Sequence, residues 1–313
     1  MRVLVTGGAG FIGSWTTEAL VQAGHDVLVY DSFVTGREDY LDRVSAAITV
    51  TRGDIRASLP LQRATRRFKP DVMIHLAACV SVPLSLRRAL HSHDVNTRGT
   101  LAVLEAARAN GVRRVVLASS AAVYGRNEAV PLHEDALLDP LSPYALHKRV
   151  GEDYARLYTE LYGLETVALR YFNVFGPRQD PASPYAGVIA RFAEAAHAGT
   201  PVRITGDGTQ TRDFVAAPDV ARANVAAATV ALSGHHAVNV GTGRETSLLT
   251  LRAAIETLSS RPLPYSLQAA QPGDVRRSCA DVTRLRELLN VTCSTGLHEG
   301  LGPLLAADRA HAA

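Results

Sequence analysis

Short apolar runs rich in Val and Ile alternate along the chain with longer stretches whose apolar positions recur every three to four residues. The runs at 3–6, 27–30, 48–51, 72–76, 115–119 and 166–170 predict strands. The periodic stretches at 12–23, 59–68, 100–109 and 143–162 predict helices between them. Strand, helix, strand at this spacing calls for parallel pairing with helices on both faces, an α/β fold built on a doubly wound parallel sheet. After Arg170 the texture changes. Gly176, Pro177, Pro181, Pro184 and Gly187 break the alternation, and Gly-rich turns follow at 206–208 and 241–243. That pattern predicts a smaller lobe interleaved with the first body rather than joined to it by a linker.

With 313 residues, 47% hydrophobic and 20% charged, the chain can bury a large core. The 33 Lys and Arg nearly balance the 30 Asp and Glu, so no strong field gathers nucleic acid or an anionic membrane. Cys79, Cys279 and Cys293 are odd in number and lack metal-site or redox spacing, which predicts reduced thiols and no metal. No run of 18 apolar residues occurs, so a cytoplasmic protein without a membrane span is expected.

The first strand runs into Thr6-Gly7-Gly8-Ala9-Gly10-Phe11-Ile12-Gly13 immediately before a helix. Glycines at these positions let backbone approach a pyrophosphate, and the helix N-terminus offers free N–H groups and a positive dipole end. A tight structural turn would read the same way in isolation. The second strand, however, ends at Asp31, about 20 residues further on, where a carboxylate can accept both ribose hydroxyls. Asp31 would repel a 2′-phosphate and is followed by Ser32 rather than Arg, so NAD is favoured over NADP. Asp54 and Ile55 follow the third strand and are placed to meet the adenine edge. A Rossmann-type NAD-binding body over 1–172 is therefore expected. Residues 173–313 then form mainly a substrate-binding lobe, with part of about 211–243 returning to the first body.

Tyr144 and Lys148 are one helical turn apart and share a face. A free tyrosine of pKa about 10 is ionised in roughly one molecule per thousand at pH 7, and lowering that pKa by three units takes about 4 kcal/mol. A neighbouring ammonium and a positive nicotinamide ring can supply it. Ser119, Ser120 and Tyr124 follow the apolar run at 115–117 and so stand at the C-terminal end of its strand, where doubly wound sheets bind ligands.

In order, TGGAGFIG, Asp31, Gly53-Asp54-Ile55, His75-Leu76-Ala77-Ala78, Asn96-x-x-Gly99-Thr100, Ser119 to Gly125, Tyr144-x-x-x-Lys148, Arg170-Tyr171-Phe172-Asn173-Val174-Phe175-Gly176-Pro177 and Gly206-Asp207-Gly208-x-Gln210-x-Arg212-Asp213-Phe214 resemble the NAD-dependent epimerase/dehydratase family of extended short-chain dehydrogenases/reductases. Within that family the chain looks most like the UDP-glucose 4-epimerases. The resemblance implies that Tyr144, as phenolate, takes the proton of a sugar 4-hydroxyl, that Ser120 bonds the same oxygen, and that Lys148 holds the nicotinamide ribose. It places Gly7, Gly10, Phe11, Ile12, Gly13, Asp31, Asp54, Ile55, Leu76, Ala77, Ala78, Asn96, Ser119, Tyr144, Lys148 and Tyr171 around the cofactor. Around the sugar nucleotide it places Ser81, Ser120, Tyr144, Asn173, Val188, Arg212, Asp274 and Ser278. Arg212 resembles the family's diphosphate clamp, though the neighbouring Asp213 offers an ordinary ion pair as the other reading. Family members commonly pair through the helices at 100–109 and 143–162, which implies a homodimer around a four-helix bundle.

The family's dehydratases carry an Asp-Glu pair where this chain has Ala121 and Ala122, and its decarboxylases use Glu at the second position. Alanine moves no proton, so these reactions fit less well. UDP-glucuronate epimerases often carry Thr at the position of Asn173, and a non-catalytic binder would have lost the Tyr-Lys pair. Epimerases of this type usually place Arg before Pro-Gly-Asp, where this chain has Gln271. Relatives restricted to UDP-glucose and UDP-galactose often have Tyr where Ser278 stands. A small residue there leaves room for an N-acetyl group.

Overall fold

The computed structural model describes residues 1–179, 187–269 and 275–311, with side chains through 306. Gln271 and Asp274 lie outside the described residues. Seven parallel strands form the central sheet: β1 (Arg2–Thr6), β2 (Asp26–Asp31), β3 (Ile48–Arg52), β4 (Val72–His75), β5 (Arg114–Ser120), β6 (Glu165–Tyr171) and, later in the chain, β11 (His235–Val240). Their spatial order is β11-β6-β5-β4-β1-β2-β3. The chain therefore reverses its direction of winding between β1 and β4, and the crevice beyond the C-terminal ends of those two strands is where such sheets take ligands.

Both faces of the sheet are covered, so its inner strands β1, β2 and β4 are buried at nearly every position rather than at alternate ones, while the edge strand β3 is largely exposed. Val3, Val5, Val27, Val29 and Ile74 point to one side, where α1 (Phe11–Gln22), α8 (Ala217–Thr229) and α10 (Thr283–Leu289) cover them. Leu4, Leu28, Met73, Val115 and Leu117 point to the other, under α2 (Ser58–Phe68), α5 (Gly99–Ala109) and α6 (Pro143–Tyr162). Two short helices, α3 (Val82–Arg87) and α4 (Ala89–His93), lead into α5. Pro143 starts α6 behind Ser142, whose hydroxyl caps the N–H of Ala145.

A separate apolar cluster forms from α7 (Val188–Ala198), α9 (Leu248–Ser259), α11 (Leu297–His311) and β8 (Val202–Thr205), the last paired with β13 (Tyr265–Gln268). It is joined to the main body by β7 (Asn173–Phe175) pairing with β10 (Phe214–Ala216), and by β9 (Thr211–Arg212) pairing with β12 (Thr246–Ser247). Among the described residues no helix is long and apolar enough to cross a membrane.

Candidate active site

The crevice is anchored by His75. Its Nδ1 lies 2.8 Å from Thr6 Oγ1 and its Nε2 3.0 Å from Thr100 Oγ1, which ties β1, β4 and α5 together. Burial pushes its pKa down to about 3, with Lys148 adding to the effect, so the ring is neutral.

At the end of β1 the chain has no room for side chains. Gly7 has φ +73°, and a Cβ built there would stand 2.6 Å from the Ala77 nitrogen. A Cβ on Gly13 would stand 1.9 Å from the Gly7 carbonyl oxygen. The first turn of α1 therefore packs directly on the loop. Gly10, its N-cap, contributes no side-chain cap, and no acidic residue lies in the first turn. The N–H groups at Phe11, Ile12 and Gly13 are thus open to an anion. Such a cradle fits a dinucleotide pyrophosphate.

Asp31 closes β2 and is buried, with its carboxylate accepting from the N–H of Ala9 (2.9 Å) and of Phe33 (2.8 Å). These bonds aim it across the glycine loop. The Asp54 carboxylate is held by Arg56 in a two-pronged pair at 2.6 to 3.1 Å, which keeps its pKa below the ordinary value. Ile55 is buried against Tyr30 and Leu61. Leu76, Ala77 and Ala78 are partly buried on the loop after β4. Asn96 does not face outward: its amide grips the Cys79 backbone, accepting from the N–H at 2.7 Å and donating to the carbonyl at 2.9 Å. Ser81 is likewise buried and caps α3 through the N–H of Leu84.

At the end of β5, Ser120 stands beside the Tyr144 phenol on α6, close enough to draw its pKa down, and its Oγ accepts from the Ala122 N–H at 3.2 Å. The Tyr144 backbone N–H is pinned by Ser85 Oγ at 3.1 Å. Lys148 donates to the Ala118 carbonyl at 2.7 Å, with its Nζ 5.9 Å from the Tyr144 ring centre. Burial lowers the Lys148 pKa to about 8, against the opposing pull of Cys79 and Glu152. Burial also raises Tyr144 above the ordinary phenol, and the Ser120 bond offsets part of that rise. The side chains alone leave this phenol protonated. A further positive charge is needed to ionise it, and an oxidised nicotinamide ring carries one.

Register continues the site into the second lobe. Ser120 pairs with Tyr171 across β5 and β6, and Asn173, exposed at the start of β7, pairs with Phe214. The Tyr171 hydroxyl is turned into the core, where it donates to Asn224 at 2.6 Å. Arg212 lies on β9 and donates to the Thr211 carbonyl at 2.7 Å. Val188 begins α7 and packs against the second cluster, and Ser278 is nearly buried.

The chain's motifs and this geometry converge with its relatives. The model of the NAD dependent epimerase/dehydratase family matches residues 3–241. The chain belongs to the NAD-dependent epimerase/dehydratase family. A UDP-glucose 4-epimerase of Mycolicibacterium smegmatis is 42% identical over 304 residues, covering 96% of each chain. The crystal structure of the Thermotoga maritima UDP-glucose 4-epimerase with UDP-glucose superposes with a TM-score of 0.94 at 34% identity, covering 100% of both chains. A UDP-N-acetylglucosamine 4-epimerase from Methanobrevibacter ruminantium in complex with UDP-N-acetylmuramic acid gives 0.93 at 34% identity, covering 99% of this chain and 98% of the other.

For a member of the epimerase/dehydratase family, two carboxylates near the site carry more than the sequence reading assigned them. Glu152, four residues beyond Lys148 on α6, accepts from the Ser119 hydroxyl and forms a buried ion pair with Arg170 at 2.7 Å. A Glu one turn after Lys148 on its buried face was the available signal. Asp213 does not form the ordinary ion pair with Arg212 that sequence proximity allowed. It is wholly buried, and its carboxylate accepts from Thr242 N–H and Oγ1, Gly243 N–H and Ala280 N–H at 2.6 to 3.2 Å.

Gly13→Ala is expected to leave the purified protein folded by circular dichroism but to weaken dinucleotide binding at least 100-fold in titrations, because a methyl cannot share the space of the Gly7 carbonyl. Lys148→Met removes an ammonium that favours the phenolate. The rising limb of its residual kcat/KM pH profile should therefore move to higher pH by about one unit; an unmoved limb would dissociate Lys148 from Tyr144.

Proposed function

We propose that the chain is a nucleotide-sugar 4-epimerase acting on UDP-glucose and UDP-galactose with bound NAD. The observation that carries this reading is the set of groups at the end of β5. Ser120 and Tyr144 can bond one oxygen, Lys148 lies behind them, and the adjoining Ala121 and Ala122 offer neither acid nor base. A site so equipped handles a single proton, which suits oxidation and reduction at one carbon and not loss of water. Likeness to the Mycolicibacterium smegmatis and Thermotoga maritima enzymes supports the sugar class.

In this mechanism Tyr144, as phenolate, accepts the proton of the sugar 4-hydroxyl while Ser120 holds the same oxygen. The chemistry that bound NAD supplies is acceptance of hydride from C4 and its return to the opposite face. Lys148 stabilises the phenolate and orients the nicotinamide ribose, and Tyr144 gives its proton back when the 4-keto sugar is reduced. Hydrogen count is unchanged over the cycle. Asn173 and Arg212 support the diphosphate, with Ser81, Val188 and Ser278 around the nucleotide and sugar. Gly7, Gly10 and the first turn of α1 cradle the cofactor, along with Asp31, Asp54, Ile55 and the 76–78 loop, while Asn96, Ser119 and Tyr171 back the site with their side chains bonded to Cys79, Glu152 and Asn224.

Residues 1–172 form the cofactor body in this reading, and 173–313 mainly the substrate lobe. The protein works in the cytoplasm as a homodimer. Leu146, Leu157, Leu161 and Tyr162 leave apolar surface exposed on α6, where α5 and α6 would pair with their copies in a four-helix bundle.

Incubation with UDP-glucose should yield the C4 epimer, separable by chromatography. A 4-keto-6-deoxy product would replace this reading with dehydration. Tyr144→Phe should abolish turnover with the fold intact, and Ser120→Ala should lower kcat about 10²- to 10³-fold. Asp31→Asn removes the charge that repels a 2′-phosphate, so the ratio of NADP to NAD dissociation constants should narrow at least tenfold, as read by fluorescence titration. Ser278 is small and the Methanobrevibacter ruminantium relative is a UDP-N-acetylglucosamine 4-epimerase. Turnover of UDP-N-acetylglucosamine is therefore expected, and Ser278→Tyr should suppress it while largely sparing UDP-glucose; a wild type inactive on the N-acetyl sugar would close that gate.

A further inference from the structure

Beyond β7 the chain turns through Gly176, Pro177 and Arg178, and this turn is fastened to α1. Trp15 donates its indole N–H to the Pro177 carbonyl at 3.2 Å. The Arg178 guanidinium lies 4.3 Å over the Trp15 ring and pairs with Glu18, with only 13% and 6% of the two charged side chains exposed. Trp15 and Glu18 are neighbours on one face of α1.

Three features make this turn costly. Arg178 has φ +73°, a left-handed conformation that residues with a Cβ seldom adopt. Lys69, Ser260 and Asn290 share that conformation where each ends a helix, as is usual, and Phe33 adopts it in the loop after β2; Arg178 ends no helix. The ion pair is largely withdrawn from water. The Arg178 Nη1 is buried without a hydrogen-bond partner among the described residues. A turn that merely joined two elements could avoid all three with Gly or Asn at 178. Strain retained at such a place points to function.

What the cost secures is contact between two sites. α1 carries the glycine cradle at its N-terminus, and Trp15 lies one turn inside it. Asn173 and Val188, assigned above to the substrate, flank the turn in the chain. We propose that Arg178 is a positioning residue that links the two ligand sites, so that filling the sugar-nucleotide site tightens the hold on NAD. The inference rests on the function proposed above. Because Arg178 bears on α1 and on the approach to the second lobe together, displacement of one is passed to the other, and linkage makes the effect reciprocal.

The test uses UDP as probe and the chain's single tryptophan as reporter. Wild type, Arg178→Met and Glu18→Gln are loaded with NAD and freed of excess. Release is followed by Trp15 emission and by nucleotide content after gel filtration, with and without saturating UDP. UDP should slow NAD release at least tenfold in wild type and less than twofold in both variants, while each variant keeps the wild-type circular dichroism spectrum and binds UDP within threefold. Undiminished slowing in the variants overturns the proposal, and so does a wild type that binds both ligands yet releases NAD at one rate regardless of UDP. Should Arg178→Met not fold, Glu18→Gln decides the matter, since it removes the ion pair and leaves the stacking. A wild type that binds neither NAD nor UDP overturns the proposed function instead.

Discussion

The site depends on how closely α1 can approach the end of β1. With Gly13 against the Gly7 carbonyl and Gly7 against the Ala77 backbone, helix, loop and the neighbouring strand end pack with no side chain between them. That contact turns the first-turn N–H groups toward the crevice and leaves them to a charged ligand. It also sets the position of Trp15 and Glu18, and through them of the turn at Arg178. A single methyl at Gly13 would push all of these apart.

A second constraint fixes the end of β5. Ser119 bonds Glu152, Glu152 pairs with Arg170, and Arg170 donates to the Tyr124 hydroxyl at 3.0 Å and to the Glu134 carbonyl at 2.8 Å. Tyr124 in turn donates to Asn239 at 2.6 Å, and Asn239 takes a Glu134 carboxylate oxygen on its N–H at 2.8 Å. The network crosses β5, α6, β6 and β11. A buried charge pair contributes little net stability, but loss of either partner strands the other in a medium of low dielectric. Its physical effect is to hold the Ser119-Ser120 end of β5 in one place relative to α6, which carries Tyr144 and Lys148.

The electrostatics of that pair follow from the same burial. Withdrawal from water raises the phenol and lowers the ammonium to about 8, so near neutral pH the phenol keeps its proton while most of the ammonium keeps its charge. Tyr144 thereby keeps its proton until a further positive charge is beside it. His75, both ring nitrogens spent on Thr6 and Thr100, adds no charge to the balance.

Local pattern was enough for what depends on neighbours in the chain. Strand and helix alternation, continuous apolar strands, the glycine spacing before α1 and the one-turn separation of Tyr144 from Lys148 are all short-range features, and the parallel sheet follows from them because no tight turn can join such strands. Asp31 was legible because it ends a strand beside that loop. Positions whose meaning lies in distant partners were not legible: Asn96 gripping the Cys79 backbone, Glu152 facing Arg170, the Tyr171 hydroxyl turned to Asn224, and Asp213 gathering donors from 242, 243 and 280. An isolated Asp, Asn or Glu reads the same whether it meets solvent, ligand or core. Only the tertiary structure decided which, because hydrogen bonds between elements are satisfied by the packing of strands and helices that sequence spacing leaves free.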